Sequence, residues 1–105
     1  MLPEACLRGT KIEEVTLPVS LRKIGKYVFD KCENLRTITV PENVEQIGPS
    51  WFSGSNLVEV IIPKTVKIIG ERAFFGCDRL ETVIFAENSE LRRIKRYAFM
   101  LCKQL

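Results

Sequence analysis

The sequence contains no histidine. That removes Ser-His and Cys-His nucleophile pairs and the imidazole ligand of most zinc sites. Its four cysteines include no Cys-x-x-Cys pair, so the usual zinc and redox spacings are absent too. The six glycines are dispersed, and no Gly-x-Gly-x-x-Gly cluster is there to cradle a phosphate. Apolar runs are short, such as Val60-Ile61-Ile62 and Val83-Ile84-Phe85-Ala86. A membrane span needs roughly 20 apolar residues. The opening MLPEACLRGTK has no basic region followed by an apolar stretch, so no signal peptide is visible in it. The chain is then either intracellular or an excerpt of a longer one. No enzyme activity, cofactor or metal is expected from this residue set.

What is present describes one ordinary domain. At 105 residues, 46% hydrophobic and 28% charged, the chain can build a core, though not a deep one. The net charge of +3 is weak, but its distribution is uneven. Residues 38–60 carry only Glu42, Glu45 and Glu59. Residues 83–105 carry Arg92, Arg93, Lys95, Arg96 and Lys103 against Glu87 and Glu90. A solvated face accounts for this, and so does a patch for phosphate or an acidic partner. Nucleic-acid binding is not expected, because it usually needs a more basic domain with exposed aromatics among the charges.

The strongest signal is internal repetition. Ile24-Gly25, Ile47-Gly48 and Ile69-Gly70 are separated by 23 and 22 positions, and Ile94-Lys95 follows 25 later. Phe29, Phe52, Phe74 and Phe99 each come five residues after those isoleucines. Leu35, Leu80 and Leu105 come six after Phe, and Leu57 five after. An alternating run then ends at Pro or Ala: Ile38, Val40, Pro41; Val60, Ile62, Pro63; Val83, Phe85, Ala86. Counting back from Ile12 as the Leu position puts Ala5 in the Ala slot, Cys6 in the Phe slot and Met1 in the Ile slot. The chain is then a single domain, with a partial unit at 1–14 and units at about 15–37, 38–60, 61–82 and 83–105. Strands are expected near 12–18, 35–41, 57–63 and 80–86.

Within a unit, residues two apart share one face of a strand. Ile38 and Val40 therefore point inward with Leu35, while Thr37 and Thr39 point away. Pro41 cannot donate to a ladder and ends the strand. Gly25, Gly48 and Gly70 permit a tight backbone. The pieces KYVFDKC and ERAFFGC are too short for a standalone helix and predict one helical or 3-10 turn. No unit can bury its apolar residues alone, but stacked units can.

The recurrence of Ile-Gly, Ala-Phe, Cys and strand Leu-Ile-Val-Pro at fixed offsets resembles the BspA-like family of leucine-rich repeats across essentially the whole chain. Departures are Val28 and Trp51 in the Ala slot, Lys95 in the Gly slot and Ser55 near the Cys slot. The resemblance implies an α/β fold: a short right-handed solenoid with parallel strands on its concave face and helical or 3-10 turns on its convex wall. It also implies protein binding, often at the surfaces of bacteria and some protists, including adhesion to host proteins. A structural spacer or self-assembling repeat unit without a dedicated ligand is the alternative.

Several residues then stand out. Cys32, Cys77 and Cys102 share one slot, where buried thiols are expected. Cys77 and Cys102 lie in adjacent units, so a disulfide between them is also sterically conceivable. Tyr27 and Tyr97 should lie on the outer wall, covering the Phe column. Trp51 in an Ala slot should lie partly exposed, since overpacking a core is costly. It either compensates the shortened unit or contacts a partner. On the concave face one outward ladder is Glu14, Thr37, Glu59 and Thr82. The other is Thr16, Thr39, Ile61 and Ile84. Ile61 and Ile84 are large apolar groups pointing away from the core, either tolerated there or marking a contact spot for a protein partner. This face offers roughly 300 Å², against about 800 Å² per side for a stable interface. Neither end reads as a polar cap, and an open strand edge invites pairing. Self-association through a terminal repeat is one expectation from this, and truncation of a longer array accounts for the missing caps equally.

Overall fold

The computed structural model describes residues 2–21 and 24–105. Six strands appear: β1 (Thr37–Thr39), β2 (Gln46–Ile47), β3 (Glu59–Ile62), β4 (Ile68–Ile69), β5 (Thr82–Phe85) and β6 (Arg93–Ile94). They form two parallel three-stranded sheets, ordered β1-β3-β5 and β2-β4-β6. Each sheet takes one strand from each successive unit. The register pairs Thr37 with Glu59 and Glu59 with Thr82. The alternation seen in the sequence therefore survives as burial: Ile38, Val40, Val60 and Ile62 are buried, while Thr37, Thr39 and Ile61 are exposed.

Three sequence expectations change. Residues 12–18 form no strand. Instead they stand off from β1 across a groove of about 500 Å³, lined by Glu14, Thr16, Thr37 and Thr39 among others. That segment has a neighbouring unit on one side only. Val15 and Leu17 are merely half-buried, so less packing holds it in register. The second sheet is the next change, because the short inward turns at Ile47 and Ile69 pair as strands.

The third change is the wall. Among the described residues there is no helix; hydrogen-bonded turns take its place. Left-handed residues recur two positions before Phe, at Tyr27, Ser50, Arg72 and Tyr97, and two after it, at Lys31, Gly54, Gly76 and Leu101. Each one breaks helical continuation. The alternation instead turns the amides of Phe29, Phe52 and Phe74 toward the next unit, where they donate to the carbonyls of Trp51, Ala73 and Ala98 at 2.9, 2.8 and 2.8 Å.

The glycines of the Ile-Gly pairs do a different job from the one expected. None of the three has a positive φ. Gly70 lies where a Cβ would meet the carbonyl oxygen of Ile47 at 2.7 Å. Close approach of the preceding unit, not a left-handed turn, excludes a side chain there.

The core is built from columns. Rings of Phe29, Phe52, Phe74 and Phe99 stack at centroid distances of 5.3, 5.2 and 5.1 Å, with interplanar angles of 7°, 14° and 3°. Leu7, not Cys6, continues this column in the first unit. Cys32 bonds to the Leu7 carbonyl as Cys77 bonds to that of Phe52. Ala5 shares the left-handed conformation of Tyr27 and Ser50. Leu7 therefore lies five residues before Ile12, the same shortened spacing as Phe52 to Leu57. Counting the standard six back from Ile12 lands one position early. Ala5 then moves to the position before the Ala slot, and Met1, at the Ile slot of that count, lies outside the described residues.

Two measurements follow from this packing. Phe52→Ala and Phe74→Ala should each lose about 3–5 kcal/mol in denaturant unfolding, the usual cost of a large buried truncation; losses near zero would place the rings outside the core. Lys31 adopts φ 57° and Leu101 φ 64° in a column whose other members are Gly9, Gly54 and Gly76. Lys31→Gly should therefore raise stability by about 1 kcal/mol, the cost of a left-handed L-residue, and a fall in melting temperature would contradict it.

Candidate binding face

The sheet β1-β3-β5 carries the outward ladders. Thr37, Glu59 and Thr82 align across it, and so do Thr39, Ile61 and Ile84. Ile61 and Ile84 are 38% and 41% exposed. They sit directly opposite one another in adjacent parallel strands, so their side chains form one apolar patch. Glu59 lies beside it, half-buried. Glu14 and Thr16 are exposed and join the same face only across the groove. The structure thus brings six of the nominated residues into two ladders and places these two at the groove's other wall.

Val19 and Glu42 also line the groove. They follow the strand prolines, where no alternation marks a face. A composition signal was available for Val19 alone: it is a β-branched apolar residue in a polar turn.

Trp51 leaves the candidate site. Its side chain is buried, at 3% exposure. The indole packs edge-on against Phe52 at 6.2 Å and 75°. Gly48 supplies the room, because a Cβ there would collide with the indole Nε1 of Trp51. The overpacking expected for a Trp in an Ala slot is relieved by the missing side chain three residues earlier. Its indole N–H finds no acceptor among the described residues, and an unmade buried hydrogen bond of this kind costs about 1–3 kcal/mol.

The cysteine slot is a polar column inside the core. Thr10, Cys32, Ser55, Cys77 and Cys102 occupy it in order. Cys32, Cys77 and Cys102 thiols donate to the carbonyls of Leu7, Phe52 and Phe74 in the preceding unit at 3.1, 3.0 and 3.1 Å. All four cysteines are free thiols, so the conceivable Cys77–Cys102 bridge is not formed. Desolvation by burial pushes the Cys32 thiol above its ordinary value. The neighbouring Cys102 thiol, and then burial, raise Cys77, and the same contact lowers Cys102. Cys6 is exposed, as its place at the end of a column allows.

The wall is edged by arginine–tyrosine contacts. Arg8 lies 4.9 Å from the Tyr27 ring centroid and Arg72 lies 5.2 Å from that of Tyr97. Arg8 also pairs with the buried Asp30 at 2.7 Å. These side chains tie neighbouring units together. Among the described residues no group of three or more Cys, Asp or Glu is placed to hold a metal ion, and no helix is long and apolar enough to cross a membrane.

Comparison with known proteins agrees with this architecture. The BspA type leucine rich repeat region matches residues 1–105 in six copies. No curated protein sequence matches the chain. Among solved structures, a leucine-rich repeat protein from Bacteroides ovatus ATCC 8483 is similar over 99% of this chain, with 24% identity and a TM-score of 0.58. The pneumococcal vaccine antigen PcpA is similar over 64% of it, with 23% identity and a TM-score of 0.53. The alignments span 39% and 20% of those two chains. Identities this low speak for the fold alone.

The Gly48–Trp51 contact is directly measurable, since Trp51 is the single tryptophan. Gly48→Ala should drive the indole toward water and shift its fluorescence to the red. An unchanged emission maximum in a folded variant would mean that the indole does not lie over Gly48.

Proposed function

The chain belongs to the BspA-type leucine-rich-repeat family, and from that premise we propose that it is a short right-handed solenoid serving as a non-catalytic protein-binding or adhesion module. The sheet β1-β3-β5 is its concave recognition face. The observation that carries this reading is the pair Ile61 and Ile84, exposed side by side while their strand neighbours Val60 and Ile62 are buried. Folding gains nothing from that exposure, and an adjoining apolar pair is the usual centre of a contact patch. The hydroxyls of Thr37, Thr39 and Thr82 and the carboxylate of Glu59 rim it, supplying the polar border of such a patch. The partner is a protein that offers an apolar group flanked by hydrogen-bond donors. The groove beside Glu14 and Thr16 extends the same face.

A second reading rests on a separate observation. The last unit exposes Phe85, Ile94, Leu101 and Leu105 at 39%, 51%, 54% and 55%. A spacer or self-assembling repeat unit would carry apolar side chains of this kind without a dedicated ligand.

The two readings separate by substitution. Ile61→Asp and Ile84→Asp leave the inward columns intact and should keep the wild-type melting temperature. Affinity capture followed by mass spectrometry should show a protein bound by the wild type, lost with either aspartate and kept with Glu87→Lys. A capture set indifferent to both aspartates would leave only the spacer.

A further inference from the structure

The first unit is docked on the second along two of its three sides. On the wall, the amides of Ala5 and Gly9 donate to the carbonyls of Lys26 and Asp30 at 2.7 and 2.8 Å. At the inner turn, Leu2 bridges Ile24 in parallel, and its carbonyl accepts the Gly25 amide at 2.7 Å. On the concave side the same two units part. Residues 12–18 and β1 leave the groove of about 500 Å³ between them. It therefore opens between two consecutive units that are otherwise joined.

Unpaired backbone lines both walls of this groove. Alternate residues at β1 bond to the next strand. The Arg36 carbonyl accepts the amides of Val58 and Glu59 at 2.7 and 3.4 Å, and the Val40 amide donates to Ile61 at 3.3 Å. Peptide groups alternate in direction along a strand, so the N–H and C=O of Thr37 and Thr39 face the groove. Among the described residues they have no backbone partner there, whereas the matching amide of Thr82 donates to Val58 at 3.2 Å. Across the groove, no backbone amide or carbonyl of residues 12–17 makes a hydrogen bond among the described residues. Between these rows, Val15, Leu17, Ile38 and Val40 form an apolar floor. The charged groups lining the groove, among the described residues, are Glu14 and Glu42, both exposed.

We propose that the groove is a strand-insertion site: an extended peptide segment of a protein partner lies between residues 12–17 and β1, hydrogen-bonded to the N–H and C=O of Thr37 and Thr39. This rests on the reading of the chain as a protein-binding module, and it gives the partner a conformation and a chemistry. An extended backbone carries donors and acceptors at the period of the β1 edge, and such main-chain bonds supply the affinity when a strand is added to a sheet. Side chains alternate along that strand. Every second one enters over Val15, Leu17, Ile38 and Val40, so it is apolar. The others lie beside Glu14, Thr39 and Glu42. Among the described residues no lysine or arginine lines the groove to offset those two carboxylates. They attract lysine or arginine and repel acidic residues. The occupant is thus a segment in which apolar residues alternate with basic and neutral polar ones.

Fluorescence anisotropy of the labelled peptide acetyl-KVTVK-amide with the full chain tests the site. The peptide should bind saturably, and the acidic peptide acetyl-EVTVE-amide should bind at least about tenfold more weakly. N-methylation of both valines removes peptide N–H groups and should weaken binding as much. Thr39→Pro removes an N–H that β3 does not use, a place where an edge strand accepts proline, and should abolish binding. Glu14→Lys combined with Glu42→Lys should also abolish it, and serves if the proline variant lowers the melting temperature. By hydrogen exchange, the amides of Thr37 and Thr39 should exchange fast in the free protein and slowly with the peptide. Slow exchange of both in the free protein would mean that residues 12–17 pair with β1 themselves, and overturns the proposal. Undiminished binding of the N-methylated peptide overturns it too. Binding lost with Ile84→Asp but kept with Thr39→Pro would seat the peptide on the apolar patch, which overturns the groove and leaves the binding-module reading standing. A chain that binds no KVTVK peptide, while Ile84→Asp still loses a captured protein, likewise overturns the groove alone.

Discussion

Phe29, Phe52, Phe74 and Phe99 stack nearly parallel, and the amides of the first three each donate to a carbonyl of the next unit. The two interactions reinforce each other. The amide of the phenylalanine itself crosses to the neighbouring unit, so ring stacking fixes the spacing at which that hydrogen bond closes. The spacing between units then sets the register of both sheets. A repeat placed off this column would lose its ring contacts, its wall bonds and its strand pairing together. Repeat proteins are held by such nearest-neighbour terms, since no unit has a core of its own.

The consequence is that burial depends on position in the stack. Phe29, Phe52 and Phe74 are fully buried, while Phe99, with a neighbour on one side, is only partly so. Val60 and Ile62 are buried in β3, yet Phe85, in register with Ile62, is 39% exposed in β5. Identical slots in the sequence thus have different environments. The residues left exposed at the ends differ in kind from Ile61 and Ile84, which are exposed because they face outward in the middle of a sheet.

The candidate face was largely legible beforehand. Side-chain direction in a strand alternates with period two, so Thr37, Thr39, Glu59, Ile61, Thr82 and Ile84 could be assigned outward from the position of Ile38, Val60 and Val83 alone. Trp51 was not legible, because its fate turns on the space over Gly48, a contact within one turn whose geometry no periodicity encodes. Glu14 and Thr16 were assigned to the right side but not to a strand, since the standing-off of residues 12–18 reflects what packs beside them.

By itself the sequence determined the repeat, the identity of the inward columns and the outward ladder positions, because these follow from spacing and from the cost of leaving Leu, Ile and Phe in water. Only the tertiary structure decided that the wall is built of left-handed turns rather than helix, that Leu7 and not Cys6 heads the aromatic column, and that the amides of Phe29, Phe52 and Phe74 reach to the next unit. Those features are set by hydrogen bonds between residues in neighbouring units, such as Phe29 to Trp51 and Phe74 to Ala98. A local pattern of residue types cannot express which direction a peptide group turns to meet a partner that only the stacked chain provides.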